Sequence, residues 1–189
     1  GGVGSGVFRS TDGGATWARV GGGLPASGSN VGRMGIAIAR ANPARMYAIA
    51  ADTTGNFLGF WTSTNSGTNW TRVTNTSFLS TSQSTFGWWF GRIWVDPGNE
   101  NHLFVADVSL RQSSDGGQTW SSIGSVHADQ HTMAWDPGTV STADQSAERI
   151  YLGNDGGIYH TDSDGTTSAS WVHATYEPWN QTYHIAVAA

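Results

Sequence analysis

Three polar side chains suited to metal binding or acid–base chemistry stand at alternate positions, at His127, Asp129 and His131. In an extended segment, residues two apart point to the same side, so all three would share one face. Two imidazoles and a carboxylate can bind a divalent metal. They can equally form an acid–base set, in which the carboxylate raises the pKa of a neighbouring imidazole, or a hydrogen-bonded knot with a structural role. The spacing leaves these three interpretations open.

A second kind of chemistry needs two carboxylates across a cleft. Glycoside hydrolysis uses one as acid and the other as base or nucleophile, at a separation of roughly 5–9.5 Å. Asp129 paired with Asp155 or with Asp107 is the best candidate pair. Asp155 also has a structural interpretation, because the Asn-Asp-Gly-Gly run at 154–157 is typical of a hairpin turn. The catalytic candidates are therefore Asp129, Asp155, Asp107, His127 and His131, and the sequence leaves open whether the protein is an enzyme.

Trp88 and Trp89 stand just before a predicted strand that begins at Arg92. Exposed aromatic planes can stack on sugar rings, so this pair would suit a glycan subsite. A tryptophan pair buried between packed sheets is the competing interpretation. Arg92 and Asp52 complete the set of substrate-binding candidates.

The composition excludes several classes of function. The chain has 189 residues, a net charge of −5, nine arginines and no lysine, and its basic residues form no run or stripe. Nucleic acids and anionic membranes are therefore not expected partners. No apolar run is long enough to cross a membrane, and residues 1–10 carry no signal-peptide pattern. Without cysteine, a Gly-x-Ser-x-Gly motif or a phosphate-binding glycine loop, we expect neither those nucleophiles nor a cofactor.

The elements that must position these side chains are indicated by an internal repeat. Ser-Thr-Asp-Gly-Gly-Ala-Thr-Trp at 10–17 recurs in similar form at 63–70 and 113–120, and a degraded copy begins at Thr161. The four tryptophans, Trp17, Trp70, Trp120 and Trp171, are 53, 50 and 51 residues apart. In each copy a short acceptor side chain can bind turn N–H groups, while glycines supply positive φ and the tryptophan packs between strands. The structural acceptors are predicted to be Asp12, Asn65, Asp115 and Asp164.

Four short β-rich runs in each period of about fifty residues are typical of the blades of a β-propeller. The sequence thus predicts an all-β propeller segment of about three and a half four-stranded antiparallel blades, with no helical periodicity. The predicted boundaries are the end of a blade at 1–26, complete blades at 27–78, 79–125 and 126–175, and the first strand of another at 176–189. Because open ends are costly, we expect further blades of the same parent chain or other copies of the chain to cover them.

Propeller topology sorts the connections onto two faces. Loops between the second and third strands share a face with the blade-to-blade connections, and the repeated hairpins lie on the opposite face. The face opposite the hairpins, which we call the first face, would collect Asp52, Asp107 and Asp155 from the loops between second and third strands. From the blade-to-blade connections the first face would collect Trp88, Trp89, His127, Asp129 and His131.

The repeats at Asp12, Asn65, Asp115 and 161–171 resemble the Asp-box, or BNR-repeat, propeller superfamily, which includes sialidases, xyloglucanase-type endoglucanases and sortilin-type receptors. The run from His127 to Tyr159 resembles secreted bacterial members described as glycosyl-hydrolase-like or sortilin-like. The resemblance implies that ligands bind the first face and that the hairpin acceptors are structural. No Arg-Ile-Pro motif occurs and only three glutamates are present, so sialidase activity is not expected.

Together these observations predict a fragment of a secreted, extracellular propeller that acts on or binds carbohydrate. The alternatives are a non-catalytic sortilin-type propeller that binds peptides or proteins, and a structural segment of a larger surface assembly. An enzyme should show two carboxylates in an open, aromatic-lined groove. A receptor-like ring should instead show an apolar or arginine-lined tunnel.

Overall fold

The computed structural model describes residues 4–26, 30–83, 85–136, 138, 149–175 and 182–187. Within them, the strands form four antiparallel sheets. Sheet 1 has two strands, β1 (Phe8–Arg9) and β2 (Ala18–Arg19). Sheet 2 has four, β3 (Met34–Ile38), β4 (Met46–Ala51), β5 (Phe57–Ser63) and β6 (Thr71–Val73).

The remaining two sheets also have four strands each. Sheet 3 contains β7 (Arg92–Val95), β8 (Leu103–Ala106), β9 (Leu110–Ser113) and β10 (Ser121–Ile123). Sheet 4 contains β11 (Gln130–Trp135), β12 (Ile150–Asn154), β13 (Gly157–Thr161) and β14 (Val172–His173). A short 3₁₀ turn, Ser168–Ser170, precedes β14. In every sheet the strands are adjacent in chain order, so each sheet is a simple meander.

One helix interrupts the strands, α1 (Ser77–Gln83), between sheets 2 and 3. The sequence has no helical periodicity that predicts this helix, and one apolar contact explains how it docks. Leu79 is fully buried in the cluster that contains Tyr47 and Phe60. A seven-residue helix is too short to be stable alone, so this contact is what holds it. No helix among the described residues is long and apolar enough to span a membrane.

The repeated segments form hairpins, and we call Ser10–Trp17, Ser63–Trp70, Ser113–Trp120 and Thr161–Trp171 the signature hairpins. The first three share one set of hydrogen bonds. In the third, Asp115 Oδ1 accepts from Thr119 N at 2.9 Å, and Ser113 Oγ accepts from Gly117 N at 2.9 Å. The ring nitrogen of Trp120 donates to Gly117 O at 3.0 Å. Turn and tryptophan are therefore clamped together.

The first two copies keep this pattern, and the fourth departs from it. Asn65 Oδ1 accepts from Asn69 N at 2.8 Å, so an amide oxygen replaces the carboxylate. In the irregular fourth copy, Asp164 has φ 53° and accepts from Thr166 N at 3.0 Å. The side-chain hydroxyl of Thr16 is the main cause that lowers the pKa of Asp12 to about 2. The predicted structural roles of these acceptors are consistent with this geometry and remain open to the test below.

Three apolar clusters lie between neighbouring sheets and contain the core. Trp120 meets Phe60 of sheet 2 edge-on, with ring centroids 5.3 Å apart. Trp171 meets Phe104 of sheet 3 in the same way at 6.4 Å, and Trp70 packs in a cluster that includes Val7 and Val20 beside sheet 1. Three of the signature tryptophans, Trp70, Trp120 and Trp171, thus pack against the preceding sheet.

Trp17 departs from the expectation that the signature tryptophan is packed. Its ring nitrogen donates to Gly14 O at 3.1 Å, as in the other hairpins, yet 63% of the residue is exposed. The reason is that no sheet among the described residues precedes sheet 1.

Residues 182–187 run along sheet 4 without forming a regular strand. Thr182 N donates to Asn154 O at 3.1 Å, and Ile185 N donates to Thr132 Oγ1 at 3.2 Å. The predicted blade boundaries stay predictions, since residues 27–29 and 176–181 at two of them lie outside the described part of the chain.

We expect the signature acceptor to stabilise the fold most where its tryptophan is packed. Asp115→Ala should lower the free energy of unfolding by roughly 1–2 kcal/mol, because turn N–H groups lose their acceptor. Asp115→Asn should cost less than about 0.5 kcal/mol, since Asn65 serves in the second copy. The matched control is Asp12→Ala, beside the exposed Trp17, which should cost less than Asp115→Ala in urea unfolding. Equal losses would show that the hairpin acts without its interface.

Candidate functional site

An open groove of about 520 Å³ lies where the connection between sheets 2 and 3 meets the connection between sheets 3 and 4. Aromatic rings form most of its wall, together with one valine, one imidazole and two carboxylates. The lining residues are Phe86, Trp88, Trp89, Phe90, Val108, Asp129, His131, Asp155 and Tyr183. The structure thus brings five predicted residues together: Trp88, Trp89, Asp129, His131 and Asp155.

The two tryptophans stand on a compact turn that backbone hydrogen bonds hold in place. Trp89 N and Phe90 N both donate to Phe86 O, at 2.9 and 3.0 Å. The turn is joined to the β4–β5 loop because Gly87 N donates to Gly55 O at 2.8 Å. Trp88 and Trp89 are 56% and 43% exposed, so they are not the buried pair of the competing interpretation.

Asp52 lies outside the groove and shapes the loop that supports this turn. Its Oδ1 accepts from Thr54 N and Asn56 N, each at 2.9 Å. The Thr54 hydroxyl is the main cause that lowers the pKa of Asp52. A Cβ at Gly55 would lie 2.2 Å from Thr85 O and 2.7 Å from the Trp88 ring, so only glycine permits the approach. The position of Asp52 therefore fits support of the turn better than contact with a ligand.

Asp107 also lies outside the groove, fully buried beneath the end of the aromatic turn. Its Oδ1 accepts from Gly91 N at 2.6 Å. Two half-buried arginines, Arg92 and Arg111, lie within its electrostatic reach. Burial lowers the pKa of both guanidinium groups, and the Asp107 carboxylate opposes that shift. Arg92 itself donates to Gln130 O at 3.3 Å and does not line the groove.

Asp129 enters the groove from a strained backbone position. Its φ is 63°, in the left-handed region that few residues other than glycine adopt. The strain is held by ladder-like bonds on both sides, because Asp129 N donates to Val108 O at 3.0 Å and Gln130 N to Asp107 O at 2.9 Å. The segment at 127–131 is therefore not extended, and β11 begins only at Gln130. The expected common face of the two histidines and Asp129 is interrupted at this residue.

His127 points away from the groove, while its backbone carbonyl takes part in a buried polar cluster. The His127 ring is exposed, and its Nδ1 lies 3.0 Å from Ala128 O. The buried amides of Gln130 and Asn154 both donate to His127 O, and Asn154 Nδ2 also donates to Gln130 Oε1 at 3.1 Å. A polar knot thus closes the junction, but it is built from two amides rather than from the histidine rings.

His131 is buried and holds Asp155 from one side. Its Nε2 lies 2.6 Å from Asp155 Oδ1, and its ring stacks on Tyr183 at 4.1 Å and on Phe90 at 5.9 Å between centroids. Asp155 is half-buried at the β12–β13 turn. The contact suits an imidazole that donates from Nε2 and fixes the carboxylate in one orientation.

The arrangement offers little to a metal ion. No group of three or more histidine, cysteine, aspartate or glutamate residues in the described ranges could hold one. His127 and His131 point to different surroundings, because one ring is exposed and the other is enclosed by aromatic rings. The chemistry available in the groove is instead that of two carboxylates, Asp129 and Asp155, beside aromatic planes.

Sequence reasoning missed four groove residues, Phe86, Phe90, Val108 and Tyr183. Phe86 and Phe90 bracket the tryptophan pair in the run Phe-Gly-Trp-Trp-Phe, and this local aromatic density was a usable signal. Val108 adjoins the candidate Asp107, but nothing in the sequence indicates that the backbone turn exposes one and buries the other. Tyr183 reaches the groove only through tertiary packing, so no sequence signal was available.

Comparison with known proteins defines the fold. No family model matches the chain, and no curated protein matches it. Among solved structures, the GH74 xyloglucanase from Xanthomonas campestris matches over 92% of this chain at 18% identity, with a TM-score of 0.67. The Niastella koreensis GH74 enzyme matches over 78% at 23% identity, with a TM-score of 0.56. The protein is a partial β-propeller.

The match confirms the predicted all-β propeller segment, with the four sheets as its blades and half-blade. This propeller spans only part of the structures it resembles, 28% of the Xanthomonas chain and 23% of the Niastella chain. In a propeller, the groove lies on the face opposite the signature hairpins, where the β4–β5, β8–β9 and β12–β13 loops meet the blade-to-blade connections.

The two carboxylates Asp107 and Asp129 are expected to differ sharply in their effect on stability. Asp107→Asn should lower the free energy of unfolding by about 1–3 kcal/mol, because it removes a buried charge beside two half-buried arginines. Asp129→Asn should change it by less than about 0.5 kcal/mol, since asparagine also tolerates positive φ. Urea unfolding of the matched pair measures both, and equal losses would contradict the separate roles.

Proposed function

We propose that the chain is part of a carbohydrate-active propeller that binds a polysaccharide in the groove and hydrolyses it there. The single observation that carries the proposal is the presence of two exposed tryptophans and two carboxylates in one open groove. This combination meets the requirement stated above for an enzyme of this kind, and it differs from an apolar or arginine-lined tunnel.

The tryptophan pair supports sugar binding. The rings of Trp88 and Trp89 are 5.9 Å apart at an interplanar angle of 65°, so they offer two differently oriented apolar planes. The C–H faces of sugar rings pack on such planes, while their hydroxyl groups need polar partners nearby. Because the turn at 86–90 is anchored to the β4–β5 loop, these planes are preformed, which reduces the entropy cost of binding.

The carboxylates support hydrolysis. Cleavage of a glycosidic bond needs an acid to protonate the leaving oxygen and a carboxylate that acts as base or nucleophile. Asp155 is oriented by His131 Nε2 at 2.6 Å, and Asp129 is held on the other connection by the Val108 and Asp107 backbone. We assign catalytic roles to Asp129 and Asp155, and a positioning role to His131.

The structural neighbours favour one substrate class. Two are GH74 enzymes, and one of them is a xyloglucanase. We therefore propose a plant β-glucan of the xyloglucan type as the first substrate to test. A polymeric substrate of this kind implies an extracellular location, and the surface rich in Ser, Thr, Asn and Gly agrees with a secreted bacterial protein.

The binding step is tested with soluble xyloglucan in affinity electrophoresis, with dextran as the reference polymer. Trp88→Ala and Trp89→Ala should each weaken binding by roughly tenfold, the factor that corresponds to about 1.4 kcal/mol, because each removes one stacking plane. Trp17→Ala is the matched control, since Trp17 is at least as exposed but lies on the hairpin face. If the polymer slows the migration of all three variants equally, the groove is not the binding site.

The hydrolytic step is tested by reducing-end release from the same polymer. Asp129→Asn and Asp155→Asn should each lower kcat by at least about 100-fold, because each removes an acid–base group, while binding persists. Glu100→Gln, which alters a carboxyl group outside the groove lining, should leave the rate unchanged. Binding without any hydrolysis by the unaltered protein would remove the catalytic part of the proposal and leave a binding module.

A further inference from the structure

The two ring nitrogens of His131 have different surroundings, although the side chain as a whole is only 3% exposed. Nε2 lies 2.6 Å from Asp155 Oδ1, whereas Nδ1 is buried and has no hydrogen-bond partner among the residues that the structure describes. Both faces of the ring are covered, because Tyr183 and Phe90 lie within 25° and 22° of its plane. One nitrogen is therefore paired with a carboxyl group and the other with nothing.

This asymmetry indicates which nitrogen carries the proton. A proton on Nδ1 would be a buried N–H donor without an acceptor, which is rare in proteins and costly. Both the imidazolium and the neutral ring that accepts at Nε2 from a protonated Asp155 would have that donor. The neutral ring with its proton on Nε2 leaves only an acceptor unused. In this state Nε2 donates to Asp155, and such a bond favours the charged form of the carboxyl group.

Asp129 meets different surroundings in the same groove. Among the described residues no hydrogen bond reaches its carboxyl group, and aromatic rings form most of the lining around it. His131 is the one basic side chain in the described groove lining, and it is already bonded to Asp155. Of the two carboxyl groups, the one without a donor is the better place for a proton.

We propose that His131 divides the roles of the two carboxyl groups, so that Asp155 acts as the anion and Asp129 as the acid. This inference rests on the hydrolysis proposed for the groove. Asp129 gives its proton to the glycosidic oxygen, which keeps the electron pair of the bond that breaks at the anomeric carbon. In an inverting course Asp155 takes a proton from the water whose oxygen bonds to that carbon. In a retaining course an Asp155 oxygen forms this bond first, and water then releases the sugar and returns a proton to Asp129.

Two substrates with different leaving groups separate the acid from the anion. Xyloglucan needs a proton on its leaving oxygen, whereas a dinitrophenyl β-glycoside of a cello-oligosaccharide releases a stable phenolate without one. Asp129→Asn should therefore lower kcat/KM by at least about 100-fold on xyloglucan and by less than about tenfold on the dinitrophenyl substrate. Asp155→Asn should lower it by at least about 100-fold on both, because the anion is needed whatever the leaving group. Retained xyloglucan binding in affinity electrophoresis checks that each variant is folded.

An added anion tests the same assignment through the product. Asp155→Ala leaves space beside the anomeric carbon, so sodium azide should restore turnover of the dinitrophenyl substrate and yield a glycosyl azide of α configuration. Asp129→Asn should not yield this product. An exchange of the two patterns, or equal losses on both substrates, would overturn the division of roles and leave the proposed hydrolysis in place. An unaltered protein that hydrolyses neither substrate would overturn the proposed function and this inference with it.

His131→Phe tests the origin of the division, because it keeps an aromatic ring between Phe90 and Tyr183 and removes the donor. We expect kcat/KM to fall by about tenfold on both substrates, which is the pattern of Asp155 and not that of Asp129, while xyloglucan binding is unchanged. His131→Gln, whose amide can donate to Asp155, should recover part of the loss. A loss confined to xyloglucan, or one that His131→Gln shares in full, would contradict the role of His131.

Discussion

The contact between a signature tryptophan and the preceding sheet is the interaction on which the structure depends. Each sheet is a short meander whose strands have two to seven residues, and its apolar face must be buried on a neighbouring sheet. The hairpin acceptor and the Trp Nε1–carbonyl bond fix the ring before it meets the next sheet. Because the ring is preoriented, burying it on Phe60 or Phe104 costs little side-chain entropy. Local hydrogen bonding therefore orients the ring for the interface, and the two interactions stabilise the fold together.

Because these contacts lie at the hairpin ends of the sheets, the opposite face is free for function. Since the hairpin ends of the sheets carry the stabilising contacts, the loops at the other ends need only local anchors. Those anchors are polar and mostly buried: Asp107 holds Gly91, and Gln130 and Asn154 hold the carbonyl of His127. Buried polar groups with satisfied hydrogen bonds specify one geometry. Loops anchored in this way can carry the aromatic turn and the two carboxylates without moving the core.

The features that could be predicted from the sequence are those that depend on local residue types or on topology, and not on tertiary packing. The hairpins are governed by local residue types, so the acceptors at Asp12, Asn65 and Asp115 and the sheet order are readable from spacing. The convergence of Trp88, Asp129 and Asp155 was also readable, because topology alone places their loops on one face. Helix α1, the burial of Asp107 and the arrival of Tyr183 were not readable. Each depends on tertiary packing. The residues around Leu79 in the sequence do not predict a helix.

Asp129 shows why spacing rules fail where chemistry is concentrated. The alternation of His127, Asp129 and His131 implies a common face only if the backbone is extended, and the φ of 63° at Asp129 breaks that condition. The strained turn is held because Asp129 N donates to Val108 O and Gln130 N donates to Asp107 O. The loop that carries these two carbonyls is fixed by the buried Asp107 carboxylate. Strain at a groove residue that is held by its surroundings is a frequent property of functional positions. The orientation of Asp129 thus depends on Asp107, a residue that never reaches the groove, and a sequence pattern cannot separate the residue that acts from the residue that holds it in place.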